Sequence, residues 1–360
     1  MIDVRDIIEK KVQVLSPDAK IEAKVKQAWD AVAKPLDSLG HFERFIAKIG
    51  AVQKKERPAL DKCAMLVFCA DNGVVEEGIS QSDQAVTALC AKSISAGKSC
   101  MGIMARRENI DIITVDVGIN SDEKIESVLD KKVAHGTKNF MKEPAMTEDE
   151  MYQAMQVGFD MVSQCVNEGY DIVGIGEMGI GNTTTSSAVA AFLLDLPGQA
   201  VTGRGAGLSD EGLARKIKVV DDAKRKYAFA KTETLKILSG VGGFDMAAMT
   251  GACIGAAYYS IPLVMDGFIS FVAALCAVRI LPVVSEYLIP SHQSREKAAG
   301  LICDEIGLTP VIYADMALGE GSGGILMMSL LKTILCVFNE SNSFNDIKVE
   351  EYQRFDEKNI

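Results

Sequence analysis

Five short apolar runs, each closing on a small or acidic residue and each followed by a helix-length segment, constrain this chain more than any other feature. They are CAMLVFCADNG, IDIITVDVG, YDIVGIGEMG, IPLVMDG and SEYLIPSH. Apolar strands of this kind need cover on both faces, and crossover helices supply it. The alternation predicts an α/β architecture, a parallel sheet flanked by helices. At 360 residues the chain has room for one large domain of this type or two smaller ones.

Helix signals fall between the runs. Thr147 and the acids after it open a segment at 147–168, and Ser209, Asp210 and Glu211 open one at 209–228. Further helices are expected at 268–280 and 322–339. The first 55 residues read as helices too. Pro35 ends one and Ser38 caps the next, in which Leu39, Phe42, Phe45, Ile46 and Ile49 share a face. The tail is polar but keeps Phe344, Ile347, Val349, Tyr352 and Phe355, which predicts a docked segment. The expected division is therefore discontinuous. Residues 1–55 and 340–360 make a small helical domain, and 56–339 make the parallel α/β domain.

Net charge and composition narrow the partners. Asp plus Glu outnumber Lys plus Arg by 49 to 38, a net charge of -11, which argues against a nucleic-acid or anionic-membrane surface. Any anionic ligand must be held locally. The nine cysteines form no C-x-x-C pair and mostly lie in apolar runs, as free thiols of a reducing compartment do. His41, His135 and His292 lack zinc-ligand spacing, so no metal is expected. Residues 246–265 carry no charge, yet Gly251, Gly255, Ser260 and Pro262 interrupt them. A buried helix feeding a buried strand fits better than a membrane span. The N-terminus lacks the apolar core of an export signal, and a cytoplasmic location is expected.

Three glycine clusters at strand ends carry the chemical information, because exposed backbone N–H groups at a helix start make an anion site. The first, GIGEMGIGNTTTSS, holds Gly174, Gly176 and Gly179 in G-x-G-x-x-G order, with Asp195 about twenty residues on. It admits a dinucleotide, a phosphate monoester or ribose, or no more than a tight turn with a hydroxyl cap. The second, TGRGAGLSDEGLARK, sets Arg204 between Gly203 and Gly205, with Lys216 on the helix that follows. Glycines allow close approach and the cations supply charge, although a solvated loop fits the same residues. The third, ALGEGSGG, encloses Glu320 between Gly319 and Gly321 before an apolar helix, an arrangement suggesting a carboxylate facing a ligand. Asp71 and Asp266 close apolar strands just before a turn, where sheet ligands bind and where loop caps also occur.

Taken together, KPLDSLGHFE, ADNGVVEEGIS, EPAMT, GIGEMGIGNTTTSSA, TGRGAGL, GGFDMAAMTGA, DGFIS, SHQS and LGEGSGG resemble, in order, the nicotinate-nucleotide:dimethylbenzimidazole phosphoribosyltransferase family. Gly136 and Thr137 match a further short block. The resemblance covers nearly the whole chain. It implies a Rossmann-like sheet, a homodimer, no cofactor, and transfer of phosphoribose from nicotinate mononucleotide to a lower-ligand base of cobamides. It further implies that Glu320 is the catalytic base. Gly176, Glu177, Asn182, Thr183, Gly203, Arg204, Gly205, Lys216, Ser294 and Gly321 would line the nucleotide site, with Asp266 and Gly319 beside them, and Ser80 and Gln84 would wall the base pocket.

The sequence departs from the family in places. Asn72 replaces the usual His, Ser82-Asp83 replaces Tyr-Pro, Asp245 stands where Glu is common, and SHQSREKAAG lacks the Gly-His ending. The acceptor is accordingly left open between a benzimidazole, a purine and a phenol. Two other readings compete. One is a binding relative without turnover, and the other is an NAD-dependent oxidoreductase resting on GIGEMG alone, which leaves ALGEGSGG and TGRGAG unexplained.

Overall fold

A computed structural model describes residues 2–354. Six strands form one all-parallel sheet: β1 (Cys63–Ala70), β2 (Asp111–Gly118), β3 (Leu129–Asp130), β4 (Ile172–Met178), β5 (Leu263–Met265) and β6 (Leu288–Pro290). Their order is β3-β2-β1-β4-β5-β6. Five of them are the apolar runs. β3 escapes sequence reading because it is two exposed residues at the sheet edge.

Alternation along each strand splits the core into two layers. Ala64, Leu66, Phe68, Val173 and Ile175 face one side, packed beneath the helices Glu148–Asn167, Phe244–Tyr259 and Phe268–Ile280. Met65, Val67, Cys69, Ile172 and Val264 face the other, beneath His41–Gln53, Cys100–Glu108 and Ser322–Glu340. The uncharged window is the buried helix Phe244–Tyr259 running into β5. Gly158 and Gly251 let it press against Glu148–Asn167. A Cβ on Gly158 would lie 1.7 Å from the Ala248 carbonyl oxygen, and one on Gly251 would lie 1.9 Å from that of Met155. The Thr147 capping box and the Ser209 cap both form.

One cap differs from expectation. Ser38 does not cap the helix His41–Gln53; Gly40 takes the N-cap position at φ +58°, and the Glu43 carboxylate reaches back to accept the Leu39 N–H at 2.8 Å. The chain ends meet. Phe344 donates its N–H to Ala31, Trp29 packs on Phe338 with ring centroids 4.8 Å apart, and Arg354 pairs with Asp30 and Asp37. Trp29, Phe45, Ile46 and Ile49 share the apolar layer of Met65 and Val67, so the N-terminal helices sit on the sheet's own core. Phe355 lies outside the described residues.

Candidate active site

The strand order reverses direction between β1 and β4, and a cleft of about 320 Å³ opens there, beyond the carboxyl ends of the strands. Its walls come from residues 79–90 after β1, 177–183 at the end of β4, 204–216, 266–270 after β5, 292–296 after β6, and 317–320. All three glycine clusters converge on it.

Glu320 occupies one side on a backbone that no ordinary helix start would use. Gly319, Glu320 and Gly321 have φ of +81°, +61° and +95°, so a single non-glycine residue is held in the left-handed region between two glycines. Asp266 secures this turn. Its Oδ2 accepts the Gly321 N–H at 3.0 Å, and its Oδ1 accepts those of Gly323 at 2.6 Å and Gly324 at 3.3 Å. His292 packs beside it, and a Cβ on Gly323 would lie 2.0 Å from His292 Nδ1. Glu320 is half-buried, its Oε2 has no hydrogen-bond partner, and burial raises its pKa above the ordinary glutamate value.

At the floor Glu177 lines the cleft, and the fully buried Asp245 lies behind it. Glu177 at the end of β4 and Asp245 are bridged by Asn182, whose Nδ2 donates to Glu177 and, at 3.2 Å, to Asp245 Oδ2. Burial, aided by Asp245 and Asp266 nearby, pushes Glu177 up to about 8, and burial pushes Asp245 up to about 6. At neutral pH Glu177 holds a proton. The opposite wall carries the cation. Lys216 is fully buried, donates from Nζ to Thr183 Oγ1 at 2.8 Å, and has its pKa lowered to about 8 by desolvation. Gly205, at φ +53°, lies over this pair.

Ser80, Glu177, Asn182, Thr183, Arg204, Gly205, Lys216, Asp266, Ser294, Gly319 and Glu320 all line the cleft. Four expected residues take other positions. Gln84 is drawn away from the cleft because its amide is spent on the Asn72 carbonyl at 3.2 Å and on Asn120 Nδ2 at 3.0 Å. Gly176, Gly203 and Gly321 lie behind the wall, where the absence of a side chain allows backbone and carboxylate to approach. Arg204 reaches the cleft, but its guanidinium is engaged by the Leu208 carbonyl and Asp210, leaving Lys216 as the cation beside the glycine loop. Asp71 is a buried tie, accepting from Thr87 Oγ1 and the Asn120 N–H. Asp195 is paired with Lys224 at a helix end, so it does not take the place of a dinucleotide-site acid. Cys90, His292 and Glu296 line the cleft without standing out in the sequence. They sit in an apolar-spaced helix and a polar loop, and only the fold brings them inward.

This geometry defines the class: a Rossmann-like α/β protein with a ligand cleft at its topological switch point, a glycine-framed carboxylate on one wall and a buried lysine on the other. A family model described as phosphoribosyltransferase matches residues 14–349. The nicotinate-nucleotide--dimethylbenzimidazole phosphoribosyltransferase of Acetivibrio thermocellus is 40% identical over 91% of this chain and 94% of its own. That of Clostridium tetani is 38% identical over 94% of each. The crystal structure of CobT from Thermus thermophilus superposes with a TM-score of 0.87 at 32% identity, covering 92% of this chain and all of that one. The chain belongs to this phosphoribosyltransferase family.

Proposed function

We propose that the protein transfers phosphoribose from nicotinate mononucleotide to 5,6-dimethylbenzimidazole or a related lower-ligand base, releasing nicotinate and forming an α-ribazole phosphate for cobamide assembly. The observation carrying this reading is the glycine-framed Glu320, which lines the same cleft as the Gly205–Lys216 wall. The nicotinate ring leaves as a neutral pyridine from a cationic pyridinium, so departure needs no general acid. As a ring nitrogen of the acceptor bonds to C1′ from the opposite face, its other N–H becomes acidic. Glu320, a stronger base for being half-buried, takes that proton. Lys216, Thr183 and the Gly205 N–H hold the phosphate on the far wall, fixing C1′ between the two rings.

The acceptor wall keeps the alternatives open. Ser82 replaces the family's aromatic residue and contributes a hydroxyl beside Ser80 Oγ, which accepts the Ser82 N–H at 3.2 Å. A purine or phenol would meet a more polar wall here than dimethylbenzimidazole needs. The working form in this reading is a cytoplasmic homodimer. Incubation with nicotinate mononucleotide and a panel of benzimidazoles, purines and phenols tests it. Nicotinate release with an α-riboside is expected, and binding without product from any base would refute catalysis.

A further inference from the structure

The wall assigned to phosphate is not left open. Glu296 projects into it from the loop between β6 and the helix Ala299–Ile306. Its Oε1 accepts the Gly205 N–H at 3.0 Å. Gly203 lies so close that a Cβ there would be 1.8 Å from Oε2. The Glu296 charge also acts on the Lys216 ammonium, raising its pKa against the effect of burial. A carboxylate thus occupies the place, and uses the backbone donor, that a phosphate on this wall would need.

We propose that Glu296 is a built-in stand-in for phosphate: its carboxylate fills the anion subsite and leaves when the substrate's phosphate arrives. Two features make the occupation displaceable. Oε2 is buried without a hydrogen-bond partner, so the seated carboxylate is imperfectly satisfied. The loop backbone is pinned on both sides, by Arg295 N–H to the Met316 carbonyl at 3.0 Å and by Ala299 N–H to the Glu296 carbonyl at 3.1 Å. Release therefore needs only side-chain torsions. A phosphate monoester brings three acceptor oxygens and up to two charges against two oxygens and one charge, and outcompetes the carboxylate for the same donors. The two anions cannot share the site. Until displaced, Glu296 compensates the buried ammonium, and it lowers the apparent affinity for every phosphate ligand, product included.

This inference rests on the assignment of Gly205 and Lys216 to phosphate, and the experiment separates the two. Inorganic phosphate and nicotinate mononucleotide are titrated calorimetrically into the full-length protein, Glu296→Gln, Glu296→Ala and Lys216→Met. Both Glu296 variants should bind phosphate about tenfold or more tightly, the gain expected when a competing closed state held near nine to one is removed. The Gln variant preserves size and carries the test if Ala perturbs folding. Unchanged or weaker binding in a folded Glu296 variant, with Lys216→Met weakened, overturns the stand-in and leaves the subsite intact. Lys216→Met binding phosphate as the parent does removes the subsite and the stand-in with it.

Discussion

Gly176 and Gly321 meet backbone to backbone: a Cβ on Gly176 would lie 2.6 Å from the Gly321 nitrogen and 2.8 Å from the Glu320 carbonyl carbon. The strand glycine thereby sets how closely the Glu320 turn can approach the sheet. Backbone cannot yield as a flexible side chain does, so Gly176→Ala must push the turn outward. We expect a loss of about 1–3 kcal/mol in stability, the range for overpacked cores, and a fall in kcat from misplacement of Glu320. Thermal unfolding and steady-state kinetics on the same preparation check both. A variant with unchanged kcat would show that the contact serves packing alone.

Glu320→Gln should retain fold and nicotinate mononucleotide binding while losing about 10²- to 10⁴-fold in kcat, the usual general-base contribution. The reactive form is the carboxylate, so activity rises with pH through its pKa. Burial raises that pKa, which places the acid limb of the parent's profile above the ordinary glutamate value. The variant should lack that limb. Turnover comparable to the parent would take Glu320 out of the proton transfer.

Asp266 accepts three backbone N–H groups at the start of the helix Ser322–Glu340, and through them it holds Glu320 without needing to touch the acceptor base. Asp266→Asn replaces one acceptor oxygen with an N–H facing these donors. We expect kcat to drop by about tenfold or more, the order of 1.4 kcal/mol, with little change in KM for nicotinate mononucleotide. A rise in KM with kcat preserved would instead mark Asp266 as a substrate contact.

Much of this is legible in the sequence, for a physical reason. Buried parallel strands are written as contiguous apolar runs, and helix caps such as Thr147 and Ser209 are local chemistry. Only the first glycine cluster follows a strand end, at β4; TGRGAGL comes after two further helices and opens Asp210–Tyr227, and LGEGSGG comes after Ala299–Ile306 and opens Ser322–Glu340, so it is the fold and not strand proximity that brings the three together. What stays hidden depends on distant partners. Nothing near Gln84 announces that Asn72 and Asn120 claim its amide, and Arg204 is diverted by Asp210, which local sequence cannot rank against a ligand. Glu296 reads as one more polar loop residue until Gly203 and Gly205 close around it. The Gly40 cap escapes sequence reading because Glu43 does by side-chain reach what Ser38 offers by position.

Lys216 should trade stability for binding, and pH exposes the trade. Its pKa is near 10.5 in the unfolded chain and lowered to about 8 by burial in the fold. Below pH 8 the ammonium is present in both states, and the folded protein bears the whole cost of desolvating it. Between pH 8 and 10.5 the unfolded chain binds the proton and the folded one does not, so this group makes stability rise with pH across that window. Lys216→Met removes the buried charge while keeping an apolar stem. It should be more stable than the parent at pH 7 by about 1–3 kcal/mol, allowing for the lost bond to Thr183. That advantage should shrink as pH approaches 10.5, and phosphate affinity should be lost throughout. Urea unfolding of both proteins at pH 7 and pH 10 gives the comparison. A variant less stable at pH 7 would mean that pairing with Glu296 and Thr183 outweighs the cost of burial.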